Sequence, residues 1–85
     1  MKTLMDNEYK NIIGPSLKLA RMSSGCTQQE LSNKLEIEAV YLDRASISKI
    51  ENQRRIVTDY EWVGLAKVLH LNIYQLLPPE LQFHK

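Results

Sequence analysis

Between positions 44 and 49 the chain sets out a guanidinium, a bare methyl, a hydroxyl and an ammonium: Arg44, Ala45, Ser46 and Lys49. A guanidinium offers two parallel N–H donors that fit the O6 and N7 acceptors of guanine, a serine hydroxyl reaches several bases or a phosphate, and an alanine methyl rests on the methyl of thymine. A second group has the chemistry of anion binding. Thr27 and Gln28 open a helix, where unpaired N–H groups and the helix dipole favour a negative charge. Ser48 immediately precedes Lys49, and Asn52, Arg54 and Arg55 follow it by about a turn or more. Each has a plainer reading: Arg44 as a solvated arginine or a partner for Asp43 or Glu38, Gln28 as an ordinary first-turn glutamine, Ser46 and Ser48 as half-buried packing residues, Arg54 and Arg55 as solvated loop arginines. Glu51 would be repelled by an anion and is expected to bond an arginine or an amide within the domain.

Helix starts position these side chains. Thr27 and Glu30 have the spacing of a capping box, with Cys26 placed to meet Leu31 as a hydrophobic staple. Asp43 is a good N-cap for a helix carrying Ile47 and Ile50 inward. Thr58 and Glu61 repeat the box, Val57 and Trp62 the staple, and Leu65, Ala66 and Leu69 form the inner face that follows. An earlier helix runs from about Asn11 to Ser23, with Ile13, Leu17 and Ala20 as its buried stripe. Gly14-Pro15 shifts its true start toward Gly14, because proline is tolerated in a first turn. Ser23-Ser24-Gly25 stops it. Asn72 caps a short fifth helix, Ile73 to Leu77, ended by Pro78-Pro79. No segment reads as a strand, so the expected class is all-α. Residues 1–10 form a flexible lead, 11–77 the domain and 78–85 a tail.

In this order and spacing, Ile13 through Arg21, Thr27-Gln28-x-x-Leu31-Ser32-x-x-Leu35, Ile47-Ser48-x-Ile50-Glu51-Asn52 and Leu65-Ala66-x-x-Leu69 resemble the Cro and phage-repressor type of helix-turn-helix protein, the XRE family. The resemblance covers roughly Ile12 to Leu77. It implies a compact five-helix, lambda-repressor-like domain that binds double-stranded operator DNA, usually as a homodimer, and represses or activates a promoter. On this resemblance Arg44, Ala45, Ser46 and Lys49 read bases, while Thr27, Gln28, Ser48, Asn52, Arg54 and Arg55 grip phosphates. The chain departs from the pattern in one place. Seven residues, Glu36 to Leu42, separate Leu35 from the Asp43 cap, more than the turn of about three or four that joins such helices. The second helix is therefore expected to reach about Ala39, with Val40, Tyr41 and Leu42 folding back to plug the core. Gln53 stands where the family often has glycine, so Asn52 is expected to take the left-handed conformation.

Composition narrows the function classes. At 85 residues the chain is sized for one domain. Its apolar runs are too short for a transmembrane helix, and its start turns acidic too soon for a signal peptide. One cysteine, Cys26, and two distant histidines, His70 and His84, make neither a disulfide nor a zinc site, so an intracellular, cytoplasmic protein without metal or cofactor is expected. Cys26 is most simply a small buried hydrophobe, with a redox switch as the weaker reading. Trp62 is read as core or interface rather than a stacking platform. No nucleophile-and-base arrangement is present, so no catalytic residue is assigned. The net charge of +1 is low for a nucleic-acid binder, but residues 44–55 carry four bases against one acid, and local placement governs phosphate affinity. A protein-binding module, such as the antitoxin of a toxin–antitoxin pair, is the competing function. The apolar side chains of Leu77, Leu81 and Phe83 motivate it, and the fifth helix with the tail from Leu76 to Phe83 is the expected dimer surface.

Overall fold

The computed structural model describes residues 9–82, and among them four α-helices enclose the core. They are α1 (Gly14–Ser23), α2 (Gln28–Ile37), α3 (Arg44–Glu51) and α4 (Asp59–Val68), followed by 3-10 turns at Ile73–Leu76 and Pro79–Leu81. The expected fifth helix is thus one 3-10 turn. Four residues between Asn72 and the extended Leu77 leave no room for a ladder of α-type bonds. Ile13, Leu17, Leu31, Leu35, Ile47, Ile50, Leu65 and Leu76 are fully buried. No helix among the described residues is long and apolar enough to cross a membrane.

Three helix starts are built as their residue types dictate. Thr27 accepts from the Glu30 amide at 3.0 Å while Glu30 accepts from the Thr27 amide at 2.8 Å. Thr58 and Glu61 do the same at 3.2 and 3.0 Å. Asp43 accepts from the Ser46 amide at 2.7 Å. Helix α1 starts differently. The Asn11 side chain accepts from the amides of Ile13 and Gly14, at 3.1 and 2.9 Å, and so caps the helix from two residues ahead of its N-cap. Gly14 is required there, because a Cβ would lie 2.4 Å from the Ile50 carbonyl oxygen. The start of α1 therefore rests directly on the backbone of α3.

All four helices end in one device. The residue beyond the C-cap turns left-handed, and paired amides bond back to the last turn, as in Cys26 to Arg21, Val40 to Leu35, Arg54 to Lys49 and Leu71 to Ala66 at 2.8–3.1 Å. Gly25 fills that position after α1 with φ 71°, but Ala39, Gln53 and His70 fill it elsewhere with φ 60–61°. Gln53, not Asn52, is left-handed after α3, since Asn52 is the C-cap with φ −92°. The paired bonds dictate which position must reverse, whatever residue occupies it. Gln53 is held further by its side-chain amide, which donates to the Asn11 carbonyl at 3.0 Å, and by its carbonyl, which accepts from the Lys10 amide at 2.9 Å.

The long connection after α2 owes its course to Ala39. Reversal there sends Val40 over α4, where a Cβ on Gly64 would lie 2.8 Å from a Val40 methyl. Leu42 is buried, as expected of a core plug, whereas Tyr41 is 75% exposed and plugs nothing. A short extended segment alternates its side chains, so anchoring Val40 and Leu42 inward turns Tyr41 outward. The tail also differs from expectation. Leu77, Pro78 and Leu81 are half-buried, and Leu77 is tied to the domain by bonds to its carbonyl from Ser16 Oγ (3.1 Å) and Gln82 Nε2 (3.0 Å). Phe83 lies outside the described residues.

Ala39 and His70 are exposed and carry no side-chain hydrogen bond among the described residues, so Ala39→Gly and His70→Gly relieve a left-handed Cβ at little cost. Each should stabilise the chain by roughly 0.5–1 kcal/mol in chemical denaturation. A lowered midpoint for both would mean that these helix ends carry no such strain.

Candidate nucleic-acid interface

Helix α3 is eight residues long and divides into two faces. Ile47, Ile50 and Glu51 point into the domain and are buried, while Arg44, Ala45 and Lys49 are exposed. Ser46 is half-buried beside the Asp43 cap. Neither Arg44 nor Lys49 meets an acid or a hydrogen-bond partner among the described residues. Hydrogen bonding from the Ser46 amide holds the Asp43 carboxyl below its usual range, helped by Ser46's side chain and by the positive charges of Lys49 and Arg55.

A buried polar knot sets how this face is presented. Arg21, in the last turn of α1, donates to Glu51 through Nε at 2.6 Å and Nη2 at 3.1 Å, and through Nη1 to the Cys26 carbonyl at 2.9 Å. The side chains are 11% and 2% exposed. The bonds to Glu51 raise the already high pKa of the guanidinium, against the opposing effect of burial. Gln28, in the first turn of α2, donates its side-chain amide at 3.0 Å to Glu51 Oε1, the oxygen that also accepts from Arg21 Nη2. Three helices thus meet on one carboxylate. Asn11 makes a second tie, donating to the carbonyls of Ile50 and Arg55 at 3.1 and 2.9 Å.

The structure brings Thr27, Gln28 and Arg44 together. With Arg21, Gly25 and Cys26 they line a shallow groove of about 550 Å3 between the starts of α2 and α3. It distributes the other anion-binding candidates unevenly. Arg54 is exposed and unpaired among the described residues. Arg55 is half-buried and forks onto Glu61 at 2.8 and 3.1 Å, with a further bond to the Ile56 carbonyl at 2.9 Å. That fork raises the Arg55 pKa and is the main reason the Glu61 carboxyl sits below its usual range, ahead of its bonds with Thr58. Asn52 turns its amide back onto the Ser48 carbonyl at 3.0 Å, and Ser48 is half-buried. Thr27 accepts a capping bond and remains exposed. Sequence reasoning left Asn11 and Arg21 without a role. Arg21 carried a signal in the buried Glu51 that needed an arginine; Asn11 carried none, because its partners lie 39 and 44 residues away.

The helix-turn-helix family model HTH_3 matches residues 17–76, well over half of the chain. The chain belongs to that family, the XRE/Cro type of DNA-binding transcriptional regulator rather than an enzyme family. No curated protein sequence matches it significantly. Among solved structures this helix-turn-helix protein is similar to the restriction-modification controller protein C.AhdI from Aeromonas hydrophila, at 25% identity over 76% of this chain and 91% of that one, with a TM-score of 0.68. It is similar to the hypothetical transcription factor NHTF from Neisseria, at 27% identity over 94% and 88% of the two chains and a TM-score of 0.71. It shares its fold with the DNA-binding domain of BldD, at 23% identity over 87% and 100% of the two chains and a TM-score of 0.69. The architecture of this helix-turn-helix chain is lambda-repressor-like.

Removing one partner of the buried pair strands a charge. Arg21→Met should therefore destabilise the fold by about 3–5 kcal/mol, while Arg21→Met with Glu51→Leu should recover much of that loss. Equal stabilities for the single and double variants would contradict a coupled pair. The lowered carboxyls of Asp43, Glu30 and Glu61 supply stability that is complete above their unfolded values of about 4. It is lost as pH falls through their lower folded values. Acid titration of the melting temperature should show this limb, and Glu61→Gln should flatten it.

Proposed function

We propose that this protein is a sequence-specific repressor that reads operator DNA in the major groove with α3 and binds as a two-fold homodimer. The observation that carries the reading is the outward face of α3, where Arg44 and Lys49 stand exposed and unpaired while the opposite face is locked into the core. Unpaired donors in the first turns of a recognition helix are what base edges require. Arg44, Ala45, Ser46 and Lys49 are the proposed base readers, with Ser46 the most restricted. Arg54, Thr27 and the second N–H of Gln28 are the proposed phosphate contacts. Arg55, Ser48 and Asn52 serve the fold first, through the Glu61 fork and the closing turn of α3. Repression needs only that the bound domain occupies the promoter. C.AhdI is named a controller protein, and a regulatory role of that kind is consistent with this reading.

One domain spans a single half-site, and a two-fold pair with recognition helices one helical turn apart, ~34–36 Å, doubles the contact. Among the described residues from Asn72 onward, Ile73 and Tyr74 are the exposed large apolar side chains, at 52% and 47%. They belong to the segment expected as a fifth helix and, ahead of the leucines of the tail, are the proposed dimer surface. The competing protein-partner reading loses part of the support of Leu77 and Leu81, which are half-buried.

Selection of bound sites from random duplex DNA should recover a roughly palindromic sequence. On that site Arg44→Ala should cost about 1–3 kcal/mol and relax preference at one position per half-site. Arg54→Ala should weaken selected and random duplexes alike and lower the salt dependence by about one ion. Ile73→Asp with Tyr74→Asp should abolish cooperative binding and leave a monomer in sedimentation. Equal losses from Arg44→Ala and Arg54→Ala on both duplexes would refute the division of roles.

A further inference from the structure

We propose that Tyr41 is an additional DNA contact, its phenol hydroxyl donating a hydrogen bond to a backbone phosphate at the edge of the half-site read by α3. The proposal rests on the DNA-binding reading above. Tyr41 lies two residues before the Asp43 cap of α3 and is 75% exposed. Its hydroxyl has no partner among the described residues. An exposed aromatic ring on a loose loop would carry no such meaning, but this loop is not loose. Ala39 reverses the chain at φ 60°, Val40 is pinned against Gly64, and Leu42 is buried at 2% exposure. Both neighbours of Tyr41 are therefore anchored in the domain, and its backbone is held relative to α3.

The ring also borders the reading turn itself. Tyr41 lines a groove of about 330 Å3 with Ser32, Glu36, Leu42, Asp43 and Ser46, so it shares a wall with a residue of the first turn of α3. DNA engaged by Arg44 and Ala45 must pass beside this edge. A tyrosine hydroxyl is one of the neutral donors that position a protein on the phosphate backbone without reading sequence. Neutrality suits the location, since the exposed carboxylate of Glu36 in the same groove would offset a cationic side chain at position 41. The extra residues between α2 and α3 thereby gain a purpose: they carry a fixed donor to the rim of the recognition helix.

The test uses the full chain, the duplex recovered by selection and a random duplex, at several salt concentrations. Tyr41→Phe keeps the ring and removes the donor, and it should melt like the native chain. Affinity for both duplexes should fall about tenfold or more, as expected for a lost hydrogen bond to a charged group. The slope of log affinity against log salt should not change, because no charge is removed. Tyr41→Ala should lose at least as much. Binding of Tyr41→Phe within twofold of native on both duplexes overturns the proposal. So does a Tyr41→Ala defect that appears only in sedimentation, which would assign the ring to a protein contact. If the native chain binds no duplex at all, the DNA reading fails and this contact with it; native binding with an indifferent Tyr41→Phe defeats the contact alone.

Discussion

The buried pair of Arg21 and Glu51 is the constraint on which the rest of the molecule depends. Two charges withdrawn from water are tolerated only when each satisfies the other and their remaining bonding capacity is filled. Here the guanidinium bonds Glu51 twice and the Cys26 carbonyl once, and Glu51 also accepts from Gln28. Because Arg21 lies in α1, Gln28 in α2 and Glu51 in α3, the condition can be met in only one mutual arrangement of the three. Helix α3 could not stand alone at eight residues, since isolated helices of that length are marginal in water. Its existence and its orientation come from the Asp43 cap, two buried isoleucines and this carboxylate.

The same pairing resolves the weak net charge of +1. Glu51 neutralises Arg21 inside the domain, Glu61 neutralises Arg55 at its edge, and Glu38 pairs with Lys67 at 2.7 Å on another surface. What remains unpaired on and just beyond α3, among the described residues, is Arg44, Lys49 and Arg54. A modest total charge thus coexists with a local excess of cations on the outward face of α3 and just beyond it. Non-specific attraction follows the phosphates neutralised, so this layout favours a binder that relies on its base contacts more than on bulk charge.

Caps and core were legible in the sequence because they are local. Thr27-x-x-Glu30, Asp43 and Thr58-x-x-Glu61 announce helix starts through bonds that span three residues, and the apolar spacing of Leu31, Leu35, Ile47 and Ile50 fixes which faces turn inward. The helix ends after α2, α3 and α4 were not legible, since Ala39, Gln53 and His70 have no intrinsic taste for the left-handed conformation they adopt. Arg54 and Arg55 are neighbours of identical type, and only the course of the chain to Glu61 distinguishes a free cation from a committed one. Asn11 and Tyr41 were misjudged for a related reason. Their settings are fixed by residues far along the chain, by Ile50 and Arg55 for Asn11 and, for Tyr41, by Gly64, against which its neighbour Val40 packs. The segment Ile73–Leu76 showed apolar residues and a cap, yet too few residues to distinguish a 3-10 turn from an α-helix.

The central claim is that the knot at Glu51 presents the starts of α2 and α3 to DNA as one rigid surface. It is tested most directly by titrating the isotopically labelled chain with its selected duplex and following backbone amide shifts by NMR. The account predicts that the largest changes fall on Thr27 to Gln29, Arg44 to Lys49 and Arg54, and saturate together at one half-site per chain. Changes concentrated instead on Tyr60, Val63 and Lys67 of α4, with the start of α3 undisturbed, would contradict it.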